Sequence, residues 1–171
     1  MVNQGEALAP SDVRPITPDD LPAIRSLHAR AFGPGRFVRT AYRVREGTDP
    51  ISPHCRVCLV DERIAAAVRF TPIEIGGKGG ALLLGPLAVE PALANRGYGR
   101  GLVAHALDEA RASGIRLVLL VGDEPYYGKL SFRRVPVGRI TLPGPVDASR
   151  LLAAELVSGA LDEYSGAMTH A

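Results

Sequence analysis

Apolar and polar positions along the chain fall into blocks whose period changes several times, and each change marks an element. In "VRPITPDDLPAIRSLHARAF" a short strand leads to Thr17, suited to cap a helix with Pro18 at its first position and Asp19 and Asp20 in its first turn. Gly33 ends that helix. "GRFVRTAYRVREG" then spaces Phe37, Ala41, Val44 and Arg45 at helical intervals before another glycine, so two helices follow the first strand. From Cys55 to Ile75 the residues are β-branched or apolar with a polar break at "DER", which predicts a hairpin of two strands, "CRVCLV" and "RIAAAVRFTPIEI". "GGKGG" closes the second strand.

A third run, "ALLLGPLAV", carries Gly85 and Pro86 in its middle. Proline removes a ladder hydrogen bond and glycine weakens a strand, so a bulge or splay is expected there. A helix follows from about Tyr98 to Ser113, with Leu102, Val103, Ala106, Leu107 and Ala110 on one stripe and Arg100, Asp108, Glu109 and Arg111 on the other. Gly114 terminates it. "IRLVLLVG" is apolar almost throughout, the pattern of a strand buried on both faces, so residues 81–121 form a strand, helix, strand crossover. "DEPYYGKLSF" predicts a loop and one short helix; beyond it lie a strand near "GRITL" and an apolar "LLAAELV" that fits strand or helix. There are no repeats and no low-complexity linker, so residues 1–171 read as one domain.

Composition narrows the class. Hydrophobic residues make up 46% and charged residues 22%, as in ordinary globular proteins. No run is long enough to span a membrane, and "MVNQGEALAPSDVRP" lacks a charged start followed by an apolar stretch, so a cytoplasmic protein is expected. The net charge of +2 does not suggest nucleic acid, but it allows an anionic small ligand held locally. Cys55 and Cys58 form a C-x-x-C, yet His28, His105 and His170 are scattered and supply no second ligand pair. On a strand, residues three apart point to opposite faces, so the two thiols are read as buried and incidental, with no metal site.

Three glycines, two arginines and an asparagine crowd the turn in "LAVEPALANRGYGRGLV". Such a turn offers backbone N–H groups at the positive end of a helix, where a phosphate binds, and Arg96 and Arg100 add full charges. A dinucleotide fingerprint is excluded: counting from Gly97 its last glycine is replaced by Leu102. "GGKGG" is not a P-loop, because glycine follows Lys78.

The segment Ala94-Asn95-Arg96-Gly97-Tyr98-Gly99 resembles the acyl-CoA-binding signature of the GNAT superfamily of N-acetyltransferases: Gln or Arg, two residues, Gly, one residue, then Gly or Ala. "YYGKLSF" resembles that superfamily's Y-x-x-x-G-F segment, and the spacing between the two blocks fits. The element order also matches, and "LLAAELVSGALDEYSG" resembles the YhbS-like group of small bacterial members. The sequence departs from the pattern at Ala94, where Gln or Arg is usual, and at Ser131, where Gly is usual.

The resemblance implies an α/β (α+β) GNAT fold: a mixed sheet of about seven strands, splayed at the fourth and flanked by about four helices. It implies acetyl-CoA as cosubstrate and direct acetyl transfer to a primary amine of a small molecule or peptide. Leu87, Ala88 and Val89 would offer backbone groups to the pantetheine arm, with the Val89 N–H polarising the thioester carbonyl. The pyrophosphate would rest on Asn95, Arg96, Gly97, Tyr98, Gly99 and Arg100.

Tyr127 matches the superfamily's general acid, a phenol protonated at neutral pH, with Tyr126 beside it as an aromatic plug. The general base stays open among Glu74, Asp123 and His54, with Asp123 first because its strand end faces the cleft next to Tyr127. The acceptor would enter from the early helices, near Phe32, Phe37 and Tyr42. A homodimer is allowed, and a membrane partner is not expected. Two alternatives are a non-catalytic acyl-CoA-binding module and a tRNA-directed, toxin-type acetyltransferase, for which "FRRVPVGR" is the only basic cluster.

Overall fold

A computed structural model describes residues 12–33 and 40–171. Strand β1 (Asp12–Pro15) runs into a capping box in which Oδ2 of Asp20 accepts hydrogen bonds from the N–H of Thr17 at 2.8 Å and from its hydroxyl at 3.1 Å. The box closes a 3-10 turn over Pro18–Asp20, so helix α1 (Leu21–Phe32) starts after the turn rather than at Pro18. Helix α2 spans Thr40–Arg45. Phe37 and the side chains of Ala41 and Tyr42 lie outside the described residues.

The predicted hairpin forms from β2 (Arg56–Val60) and β3 (Arg63–Ile75), and the glycine turn joins β3 to β4 (Lys78–Val89). Helix α3 (Tyr98–Ala112), β5 (Leu117–Val121) and the short helix α4 (Glu124–Tyr127) follow. Then come β6 (Arg133–Arg134), β7 (Ile140–Thr141), β8 (Leu151–Glu155) and β9 (Gly166–His170). "LLAAELV" therefore begins as a strand, buried at its first four residues.

Among the described residues the sheet has nine strands, in the order β1-β2-β3-β4-β5-β8-β6, with β9 paired to β3 and β7 to β9. The excess over seven comes from β6 and β7, two residues each and too short to show a period in the sequence. β4 and β5 run parallel, as the crossover requires, and β7 runs parallel to β9; the other pairs are antiparallel.

Alternation along β3 and β4 sends side chains to two layers. Phe70, Leu82 and Leu84 pack with Leu102, Val103, Ala106, Leu107 and Ala110 of α3, the stripe expected from the sequence. On the other face Ile73 and Leu83 pack with Val44 of α2, while Ala67 and Ala88 pack with Ile24 and Leu27 of α1. Burying each of these leucines contributes ~1.5–3 kcal/mol, which fixes both helix layers on the sheet. Cys55 and Cys58 are buried and unpaired. No helix of the described residues is long and apolar enough to cross a membrane.

Near its middle β4 leaves β5. The two are paired only from Ala81–Leu117 to Leu83–Leu119, and beyond Leu84 the register of β4 on β3 slips opposite Gly85 and Pro86, between Val68 and Phe70. The break anticipated at Gly85-Pro86 thus lies where the sheet opens.

Candidate active site

Register decides which polar groups of β4 are exposed in the opening. The Glu90 N–H donates to Ala65 O at 2.8 Å, and Val89, Ala88 and Leu87 face Ala66, Ala67 and Val68. Hydrogen-bonded and non-hydrogen-bonded pairs alternate in an antiparallel ladder, so the N–H and C=O of Ala88 point to β3 and those of Leu87 and Val89 point away from it. Among the described residues no strand covers that outer edge, because β5 has already diverged. Leu87 and Val89 therefore present backbone groups to the gap, whereas Ala88 has its groups in the ladder and its methyl in the α1 core.

The chain then enters the glycine turn. Asn95 (φ 63°) and Gly97 (φ 87°) are left-handed, and Gly97 caps α3 with no side chain over the helix end. The N–H groups of Tyr98, Gly99 and Arg100 lie in the first turn, have no intrahelical acceptor, and sit at the positive end of the helix dipole. Asn95 and Arg96 are exposed beside them. The Arg100 guanidinium lies 4.9 Å over the Tyr126 ring, and its buried Nε has no hydrogen-bond partner among the described residues. A Cβ on Gly99 would stand 2.6 Å from the Tyr126 hydroxyl, so glycine lets α3 close on β4 and α4. Exposed N–H groups of this kind at a helix N-terminus favour an anion.

Asp123 positions the tyrosines by accepting hydrogen bonds at its backbone oxygen from the N–H groups of Tyr126 (3.1 Å) and Tyr127 (3.0 Å). The Tyr127 ring lies on Gly122 and meets Phe132 edge-on at 5.8 Å and Tyr126 at 4.8 Å. Burial pushes the Tyr127 phenol well above its ordinary value, and Tyr126 and Asp123 raise it further. Burial also raises Tyr126, with Arg100 opposing. The two rings divide their surroundings: Tyr126 packs the turn and Tyr127 lines the cleft.

The cleft has a volume of ≈ 810 Å³ and extends from Leu87, Gly122 and Tyr127 to Leu21, His28 and Phe32 of α1. Of the three base candidates, Asp123 lines it, exposed, with Oδ1 3.4 Å from Nη2 of Arg150. Glu74 pairs with Thr169 of β9, toward the other end of β3, and His54 precedes β2; neither lines the cleft. The "FRRVPVGR" cluster is tied to its own chain: Arg133 donates to the Gly128 and Phe132 carbonyls, Arg134 pairs with Glu124, and Arg139 donates to the Leu161 and Tyr164 carbonyls.

Against known families, the model of the acetyltransferase (GNAT) domain matches residues 12–135. The chain belongs to the GNAT acetyltransferase family. Among solved structures, the GNAT family N-acetyltransferase YhbS from Escherichia coli, in complex with CoA, is 24% identical with a TM-score of 0.80, covering 97% of this chain and 92% of that one. A GNAT family acetyltransferase from Brucella melitensis, in complex with acetyl-CoA, is 25% identical with a TM-score of 0.62, covering 89% and 98%. The ribosomal-protein-S18-alanine N-acetyltransferase from Escherichia coli is 18% identical with a TM-score of 0.62, covering 87% and 96%. No curated protein sequence matches the chain.

Within this GNAT fold several cleft residues escaped the motif reading: Arg25, His28, Arg45, Arg69 and Arg150. Leu21, Arg25, His28 and Phe32 follow a helical spacing beside the buried stripe of Ile24 and Leu27, and that second stripe was the available signal. Arg69 gave none, because it enters the cleft where the register slips.

Proposed function

We propose that the protein transfers an acetyl group directly from acetyl-CoA to a primary amine. The observation that carries this reading is the edge of β4 left uncovered by β5, which runs from Val89, just before the glycine turn, to Leu87, where it lines the same cleft as Tyr127. The CoA and acetyl-CoA complexes of the Escherichia coli and Brucella melitensis structures support the same ligand here. The fit is specific: free first-turn N–H groups and Arg96 and Arg100 suit a diphosphate, and an unpaired strand edge suits the amides of the pantetheine arm.

Acetyl-CoA supplies an activated acyl group as a thioester. The Val89 N–H, directed to the gap, would polarise the thioester carbonyl as negative charge develops on its oxygen. The Tyr127 phenol, kept neutral by burial, would donate its proton to the sulfur as the carbon–sulfur bond breaks and the carbon–nitrogen bond forms. Asp123 would take the proton that the attacking nitrogen sheds, directly or through water, and the phenol would be reprotonated from solvent. Direct transfer is favoured because no cysteine, serine, threonine or lysine lines the cleft among the described residues, leaving none of these nucleophiles to carry the acyl group.

The test is release of free thiol from acetyl-CoA across a panel of amines, amino acids, aminoglycosides and short peptides, with acetyl-CoA binding followed by calorimetry. Amine-dependent release establishes the transferase. Binding without release for every amine would support an acyl-CoA-binding module instead, and absence of binding would remove the cosubstrate.

A further inference from the structure

The acceptor half of the cleft is electrically divided. Helix α1, helix α2 and strand β3 contribute Arg25, Arg45 and Arg69 to its lining. The rest of the charged lining comes from other elements: Asp123 after β5, and Asp147 and Arg150 just before β8. There Asp123 is 3.4 Å from Arg150, and Oδ1 of Asp147 accepts from the Ser149 N–H at 2.9 Å and from its hydroxyl at 2.7 Å.

The cationic lining is built into the splay of the sheet. Arg69 occupies the slip of β3 against Gly85 and Pro86, and such irregularities redirect a side chain. Its Nη2 donates to the Thr48 hydroxyl at 2.7 Å and to Asp49 O at 3.3 Å, and the Thr48 hydroxyl donates to Arg45 O at 2.6 Å. Both terminal nitrogens of Arg45 lie 3.7 Å from where a Cβ on Gly85 would stand. Thr48 thus links two guanidinium-bearing residues at the point where β4 breaks.

Resting on the transferase reading above, we propose that the acceptor is a primary amine that also carries a carboxylate, with the carboxylate held by Arg45 and Arg69 and the ammonium group drawn toward Asp123. Guanidinium and carboxylate match in shape and charge, and a bidentate pair fixes orientation as well as affinity. A polyamine or a lysine-rich peptide would place like charge against three arginines. An amino carboxylate instead meets opposite charge at both ends, which directs its amine to the Tyr127 side of the cleft.

The experiment compares matched acceptors. Glycine, β-alanine, γ-aminobutyrate, L-aspartate and L-glutamate are assayed by thiol release against their fully amidated counterparts, with spermidine and aspartyl dipeptides as further arms. At least one amino carboxylate should exceed its amide by about tenfold or more in kcat/KM, the scale of one charge-assisted pair. Arg45→Gln and Arg69→Gln should bring that ratio near unity while the acetyl-CoA dissociation constant stays within about twofold. An aspartyl dipeptide preferred over free amino acids, with the same dependence on Arg45 and Arg69, supports the carboxylate site and assigns its source to an acidic peptide.

Amides or spermidine used as well as the carboxylates would overturn the proposal and leave the transferase intact. If no amine is turned over, the transferase reading fails, and calorimetry on the CoA-saturated protein decides this one. Amino carboxylates binding about tenfold tighter than their amides support it, and equal or absent binding overturns it. Should the Gln variants not fold, Arg45→Lys and Arg69→Lys keep the charge but lose the planar fork, and an unchanged carboxylate preference in both would count against the proposal.

Discussion

The hydroxyl of Tyr126 lies 2.6 Å from where a Cβ on Gly99 would stand, and Cγ2 of Val89 lies 3.0 Å from the same point. The glycine turn, the short helix before Gly128 and the end of β4 therefore meet at one atom-sized gap. Gly99→Ala must displace one of them; it should cost ~1–3 kcal/mol of stability and weaken acetyl-CoA binding measurably. Tyr126→Phe removes the nearer atom, so the double variant should recover part of both losses, with a coupling of ~1 kcal/mol in denaturation and calorimetry. Additive effects would show that the hydroxyl is not the obstacle.

Tyr127 is the better-buried phenol and the one that lines the cleft. Tyr127→Phe keeps the ring on Gly122 and Phe132 and deletes only the hydroxyl, the proposed proton donor. Turnover should fall about a hundredfold or more while acetyl-CoA affinity stays nearly constant. Because burial raises this phenol above its ordinary value near 10, its ionisation should not depress the rate below about pH 10. A variant as active as the parent would remove Tyr127 from the reaction.

Much of this was legible in local sequence because it depends on local chemistry. The α3 stripe from Leu102 to Ala110, the Gly85-Pro86 break and the glycine turn each carry their cause within a few residues. The orientation of Ala88 was not legible, since the parity of its hydrogen bonds depends on which residue of β3 faces it. Nor was the cationic lining: Arg25, Arg45 and Arg69 are far apart in the chain and converge only when two helices dock on the splayed sheet. Asp123 and Tyr127 could be paired from sequence because one short helix turn joins them, whereas Glu74 and His54 could be separated from them only by the topology.

The capping box before α1 predicts a specific acid sensitivity. Asp20 accepts hydrogen bonds from Arg14 at 2.7 and 2.9 Å, and with Thr17 these hold its carboxyl down at about 2. The folded value lies below the unfolded one, so the stabilisation is complete above about pH 4 and is lost as pH falls through about 2. The contribution is on the order of 2 kcal/mol at neutral pH, to which Thr17 and Arg14 both contribute. Asp20→Asn should lower the neutral-pH denaturation midpoint and flatten the loss between pH 4 and pH 2. A variant with the parent's acid profile would assign that profile to other carboxylates.

Ser131 occupies the place where the family segment has glycine, and its backbone is left-handed at φ 70°. A side chain there is strained by ~1–2 kcal/mol, while glycine gives back part of that gain through the greater freedom of its unfolded chain. Ser131 is exposed, and its side chain makes no hydrogen bond among the described residues; its N–H donates to Gly128 O at 3.2 Å, a bond that glycine retains. Ser131→Gly should therefore stabilise the protein by ~0.5–1 kcal/mol and raise Tm by about 1–4 °C. Activity should not change, because Tyr127 is positioned by the Asp123 carbonyl, Gly122 and Phe132 rather than by the Ser131 side chain. A lower Tm would mean that the serine stabilises the turn in a way its backbone geometry does not disclose. An unchanged Tm together with a slower reaction would instead tie the strain at residue 131 to the placement of the phenol.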